Sequence, residues 1–378
     1  MQSKTVIVGG GMAGLSCAMQ LLEANQDFLL VTDSLGGRIK YSPEAGVNFG
    51  AYFVMSSYTH AKKLLTKGAW INPLDSCFHN SAKDRHAALS WHSLGLLPDL
   101  FRFYLALREF SAHYKTYKQR CLTISQKAAL AADPYMASLF SMPAHQLVLA
   151  KNFEKVAADY VSKFAYACTG ASLEQLTALD FLNVSIAMIT PIHCVIFDPK
   201  EVAKKLADHL ILDTITGLSH QHGQHLLTGK TGTTHLAENV ILATPASITQ
   251  QLLGLEEIRQ ASQIYVSHVK AILKPAFQKN SMNLFPYSSE IMLVVKQHDG
   301  TFLIYSREKA TDLHQVCERF ELLASVAWEK AMYIQGSAYL DQHQSAGLYI
   351  AGDHNGLGLE PAAISGIFAA NQIINKKG

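Results

Sequence analysis

The chain has 378 residues, 49% of them hydrophobic and only 16% charged, and 32 Lys+Arg against 30 Asp+Glu leave a formal charge of +2. This apolar fraction excludes a disordered protein, and the near-zero balance argues against a nucleic-acid binder, which carries a basic excess. Six scattered cysteines without a C-x-x-C pair favour reduced thiols in a cytoplasm over a disulfide framework or a zinc site.

At roughly 100–200 residues per domain the length suggests two domains, and no internal repeat points to a solenoid. Thr5-Val6-Ile7-Val8 is too short for the apolar region of a signal peptide. It reads instead as a buried, β-branched strand running into Gly9-Gly10-Gly11-Met12-Ala13-Gly14, a match to G-x-G-x-x-G. Residues 15–24 have helical spacing, 28–32 read as a second buried strand, and Asp33 follows. Each part has a task in holding a dinucleotide. Gly9 permits the tight turn, Gly11 lets the main chain approach a pyrophosphate, and Gly14 lets the helix pack on the strand. Free N–H groups at the helix start, at Met12 and Ala13, receive the anion. Asp33 stands where an acid bonds a ribose hydroxyl.

Further along, residues 86–190 read as mostly helical. Within them 91–107 is unusually apolar, a pattern that fits core, a lipophilic tunnel or contact with a membrane surface. No stretch reaches the ~18 apolar residues of a membrane span. Asp198-Pro199 opens a helix over 200–209, and strands follow at 210–218 and 225–228. His220, His222 and His225 fall at the hairpin between them with no Cys or carboxylate nearby, so no metal is expected. Strands are predicted at 240–242, 266–273, 292–296 and 301–306, the last two joined by a turn at Asp299-Gly300.

Ser34-Leu35-Gly36-Gly37-Arg38 and Val47-Asn48-Phe49-Gly50-Ala51-Tyr52 follow the second strand, and Ala243-Thr244-Pro245 follows the strand at 240–242. Gly352-Asp353 and Leu359-Glu360-Pro361-Ala362 stand near the end. With the glycine loop, these resemble the flavin-containing amine oxidase superfamily, which includes monoamine, polyamine and protoporphyrinogen oxidases and phytoene-desaturase-like and renalase-like enzymes. The resemblance implies an α/β protein with a Rossmann-like FAD/NAD(P)-binding domain and an inserted α+β substrate domain of antiparallel sheet plus helices. Residues 1–80, 197–255 and 335–378 would bind FAD, and 81–196 and 256–334 the substrate.

Gly36, Gly37 and Arg38 would form a second clamp on the diphosphate, with the arginine as its fixed cation. Asp353 would accept hydrogen bonds from the ribityl chain. The helix near Leu359 and Glu360, with Pro361 in its first turn, would point its positive end at the flavin. By the same resemblance Ser34, Gly50, Ala51, Tyr52, Thr244, Trp328 and Ala362 are cofactor contacts. Ile215 is another, although a buried strand position accounts for it equally well.

Val269-Lys270 and Lys274-Pro275-Ala276-Phe277 resemble the stretch that carries the amine oxidases' flavin-facing lysine. Lys270 is therefore the candidate catalytic residue, holding a water against flavin N5. The spacing is shorter here, and a strand lysine facing solvent is the alternative. Ser337 falls where monoamine oxidases have the cysteine that bonds FAD, which implies non-covalent FAD. Ala338 and Gly358 replace the two tyrosines of the family's aromatic cage, which disfavours an amine cation. Tyr339, one strand residue on, faces the other way. The expected protein is a cytoplasmic FAD-dependent oxidoreductase, with membrane-surface contact left open. It would take a hydride from a C–N or C–C bond of a small or lipophilic substrate, with O2 or another acceptor reoxidising the flavin. The alternatives are a redox-neutral flavin isomerase and a binding protein on the same fold.

Overall fold

The computed structural model describes residues 2–81, 83–336 and 338–375. Its first sheet has a parallel core. Strand Gln2–Gly10 lies between Leu29–Leu35 and Thr234–Leu242, with Leu210–Leu212 and Leu348–Ile350 outside them. Both faces are covered, which is why these strands read as continuous apolar runs rather than alternating ones. Val6, Val8 and Val31 face a meander of Ile215–Gln221, Gln224–Gly229 and the first half of Thr234–Leu242, meeting Ile215 and Leu227. Ile7 and Leu30 face the helices Met12–Glu23 and Leu359–Asn375. Those helices approach closely because Gly366 has no side chain: a Cβ there would run into the main chain of Ala13.

A second, seven-stranded sheet runs Cys317–Gly336, Arg259–Leu273, Phe302–Ser306, Ile291–Lys296, Met282–Leu284, Ser76–His79, Arg85–Ala87. One of its pairings, Met282–Leu284 with Ser76–His79, is parallel. A turn with Gly300 at φ +83° closes the Ile291–Lys296 and Phe302–Ser306 hairpin, as the sequence suggests. Helices between Leu97 and Ser185 cover one face of this sheet, and a small sheet of Phe53–Met55, Ile192–Ile196 and Thr66–Trp70 lies beside them. A buried ion pair ties the layers together: Arg259, on the second sheet, holds Asp180 of helix Ala178–Ser185 and the carbonyl of Asn355.

Three expectations are corrected. Ser76–His79 pairs into the second sheet, so the nucleotide segment does not run intact to residue 80. The strand expected over 210–218 breaks at Asp213-Thr214 into Leu210–Leu212 and Ile215–Gln221, each with its own partner. The helix expected over 200–209 ends at Lys205, and a 3-10 turn at Ala207–His209 continues it. The apolar stretch 91–107 is not simply core. Phe103 and Leu107 are buried, while Trp91 is 90% exposed and Leu97 and Phe101 also face solvent.

Candidate cofactor and substrate cavity

A cavity of about 580 Å³ opens at the carboxyl ends of the parallel strands, the usual place for a ligand in such a sheet. Its first half is built from main chain. Gly9 adopts φ +107°, and a Cβ there would collide with the carbonyl of Ala243, so the turn requires glycine. Gly11 instead faces open space: the nearest atom to an added Cβ is Gly37 Cα at 3.9 Å, and a side chain would stand in the cavity. Gly11 is also the N-cap of helix Met12–Glu23, and no side chain caps it. The first helical N–H groups are thus free to take an anion, aided by the helix dipole. Met12 and Ala13 line the cavity. Gly14 does not, and packs on the Gly9 carbonyl, the close helix–strand approach expected of it.

Thr32, which the sequence reading passed over, fixes this loop. Its hydroxyl accepts from Gly10 N at 2.8 Å and donates to the Ser34 carbonyl at 2.7 Å. Asp33, exposed, lines the cavity mouth with Ser34, Gly36 and Gly37. Asp213, also unpredicted, lines the same end, and it is there because of the strand break. Its carboxylate accepts from Thr231 Oγ1 at 2.6 Å and Thr214 N at 2.7 Å. Ile215 and Thr244 sit beside it.

Arg38 and Asp353 form the electrostatic centre. Arg38 Nη2 lies 2.6 Å from Asp353 Oδ2, and Nη1 donates to the Ala331 carbonyl at 2.8 Å. Arg38 occupies Oδ2, while the buried Oδ1 has no hydrogen-bond partner among the described residues. Burial pushes the Asp353 carboxyl up, but the Arg38 guanidinium, His354 and hydrogen bonding together hold it below the usual carboxylate range. A buried carboxylate lacking donors asks for them from a ligand. Gly50, Ala51, Tyr52, Trp328, Gly352, Leu359 and Ala362 complete this part of the wall. Trp328 is steered by its indole N–H, which donates to the Phe49 carbonyl at 2.8 Å.

The second half of the cavity is built from side chains. Ile264, Val266, Leu284, Leu293 and Tyr305 come from the second sheet, and Phe164, Cys168 and Asn183 from helices. The charged residues of the whole lining are Asp33, Arg38, Asp213 and Asp353, all in the first half. Tyr52 and Tyr305 meet edge to face with centroids 6.5 Å apart, and the buried Tyr305 hydroxyl has no partner. Burial raises both phenols, so they stay neutral donors.

Several predicted residues lie elsewhere. Lys270 shares a strand face with Ile264 and Val266, but four residues past Val266 at ~3.4 Å each it has run beyond the covered region, and it is exposed. His268, between them, is buried beneath Phe49 and bonded to Thr301 at 2.7 Å. No lysine lines the cavity among the described residues. Glu360 is 1% exposed and outside the cavity; its carboxylate accepts from Thr59 N and Oγ1, His60 N and Ala61 N. Burial would raise its pKa, but those hydrogen bonds lower it. It fastens the 59–61 loop to the last helix. Ala338 is exposed, Gly358 lines the cavity, and Tyr339 packs on Phe140 away from it. Ser337 lies outside the described residues.

The layout is that of a Rossmann-type dinucleotide-binding protein with a second, apolar chamber. The family model for the NAD(P)-binding Rossmann-like domain matches residues 7–67. The whole chain is similar in structure to a cofactor-binding redesign of putrescine oxidase, with TM-score 0.71, 15% identity and 99% of each chain covered. It is similar to cyclohexylamine oxidase from Brevibacterium oxydans IH-35A, with TM-score 0.64, 15% identity and 99% of each chain covered. A third likeness is to the CLA-producing fatty acid isomerase from P. acnes, with TM-score 0.65, 11% identity and 99% and 98% of the two chains covered. No curated protein matches the sequence. The chain shares the overall fold of these oxidases, and at these identities the likeness concerns fold alone.

Proposed function

We propose that the protein is an FAD-dependent oxidoreductase acting on a neutral, lipophilic substrate, with the flavin held non-covalently. The observation that carries this reading is one continuous cavity whose glycine-lined end suits a dinucleotide and whose other end has no charged side chain. The residues fit FAD. Gly11 leaves room for a pyrophosphate at a free helix N-terminus, Arg38 supplies the cation, and Asp353 Oδ1 is buried without a donor and suits a hydroxyl. Asp33 suits the adenosine ribose. When bound, FAD would supply hydride acceptance. The chain's own part is to orient the substrate by shape, through Ile264, Val266 and Leu293, and to exclude water from the reacting bond.

An ammonium substrate would enter this apolar end without a counter-ion or an aromatic cage, a costly transfer. The missing lysine in the wall also removes the group that the family resemblance assigns to oxygen reactivity. That favours an acceptor other than O2, or, as a second reading, a redox-neutral isomerase. FAD-loaded protein mixed anaerobically with long-chain alcohols, unsaturated fatty-acid esters and primary amines tests both. Stoichiometric bleaching by a neutral lipophilic compound is expected. Product without lasting bleaching would favour the isomerase, and bleaching by amines alone would overturn the substrate class.

A further inference from the structure

Apart from the cavity, one group among the described residues has the donor set of a metal site: His86 and Asp159, partly buried, and His92, more exposed, with potential ligand atoms within 4.8 Å of one another. They converge from three elements. His86 is on the edge strand Arg85–Ala87, and His92 is in the short helix Trp91–Gly95, whose start Ser90 caps. Asp159 belongs to a single π-helical turn, Ala157–Val161, set between two α-helical segments. Such turns are rare and persist mostly where they aim a side chain. Here the turn aims Asp159 at His92, Oδ2 to Nε2 being 2.7 Å. A second carboxylate, Asp84, stands 3.3 Å from His86 Nε2.

The two imidazoles stack at 3.7 Å between centroids with 9° between their planes. Lys163 is the nearby charge that opposes a cation. Its ammonium donates to the main-chain oxygens of Ala158 and Asp159, which holds it in place.

We infer that His86, His92 and Asp159 bind a divalent ion of the zinc class, with water completing the coordination. Two imidazole nitrogens and carboxylate oxygens are a borderline donor set that suits Zn2+, and no thiolate is present to select a softer ion. Ligand atoms around tetrahedral zinc lie roughly 3.3 Å apart, so the site must tighten and the stacked rings must open on loading. Bound there, the ion would clamp the edge strand and the start of the exposed apolar segment to the helical layer. This pocket differs from the histidines that stand out in the sequence. His220 and His222 are exposed on their hairpin, and His225 is buried with Nε2 at 3.1 Å from the Ala346 carbonyl.

Titrating the full chain with Zn2+ calorimetrically, and with Co2+ by visible absorption, tests the inference. One equivalent should bind with Kd on the order of 1 µM or tighter. His92→Ala and His86→Asn should each weaken it roughly 100-fold, and Asp159→Asn roughly tenfold. A His220→Ala/His222→Ala chain, altered only at the hairpin, should bind as before. No binding by the unaltered chain would overturn the site. So would full binding in His92→Ala and His86→Asn, or loss confined to the hairpin variant.

Discussion

The two ends of the cavity are made of different material. The nucleotide end is main chain: a glycine loop, an uncapped helix N-terminus and one arginine–aspartate pair. The apolar end is side chain, contributed by the second sheet and by separate helices, each residue ordinary as core. A surface made of main chain needs particular residues at fixed spacing. A surface made of side chains needs only shape, and many sequences provide that.

Four substitutions bear on this contrast. The largest effect is expected at the apolar end's scaffold. Asp180→Ala leaves the Arg259 charge buried and should cost about 3–5 kcal/mol in denaturant unfolding. A loss under ~1 kcal/mol would mean that packing alone holds this half. Gly11→Val places a side chain in open cavity space, so FAD affinity should fall roughly 100-fold, or ~2.7 kcal/mol, while the FAD-free protein melts as before. A lowered melting temperature without FAD would show that the loop is structural rather than a cradle.

Glu360→Gln should cost about 1.5–3 kcal/mol by weakening charged hydrogen bonds to the 59–61 loop. Because its folded pKa is depressed, the carboxylate's contribution is complete above the unfolded value of ~4.3 and is lost as pH falls through the folded one. The gap between native and variant stability should therefore close in acid, below about pH 4. A gap that does not change with pH would remove charge from the explanation. Smallest is Lys270→Met. On an exposed strand position it should shift stability by less than ~0.5 kcal/mol and leave flavin reduction and reoxidation rates unchanged. A slowed reoxidation would return this lysine to the site.

The same contrast explains what could be read in advance. The glycine loop, Asp33, Arg38 and Asp353 were legible because each answers a local main-chain demand, and the structure lines them along one cavity. Asp213 was not, since it reaches the cavity only through a strand break, and one Asp inside an otherwise strand-like run was too weak a turn signal to announce it. Thr32 looked like any strand threonine. Lys270 was misplaced because alternation predicts which face a side chain takes, and not how far the cover above that face extends. Glu360 sat in the right helix, but its carboxylate is spent on a loop three hundred residues away in sequence, a contact with no local signature.

The cavity's walls begin at Val8 and end at Ala362. A chain still being synthesised can form the glycine turn early, but that turn stays open on one side until strand Leu348–Ile350 slots beside Thr234–Leu242 and the last helix emerges. The arginine that waits at Arg38 has no Asp353 to face before then. Completion of the cavity is in this sense a late event of the chain's assembly. A nascent chain cut short of its final helix would have the fingerprint of a dinucleotide protein and nothing to close it.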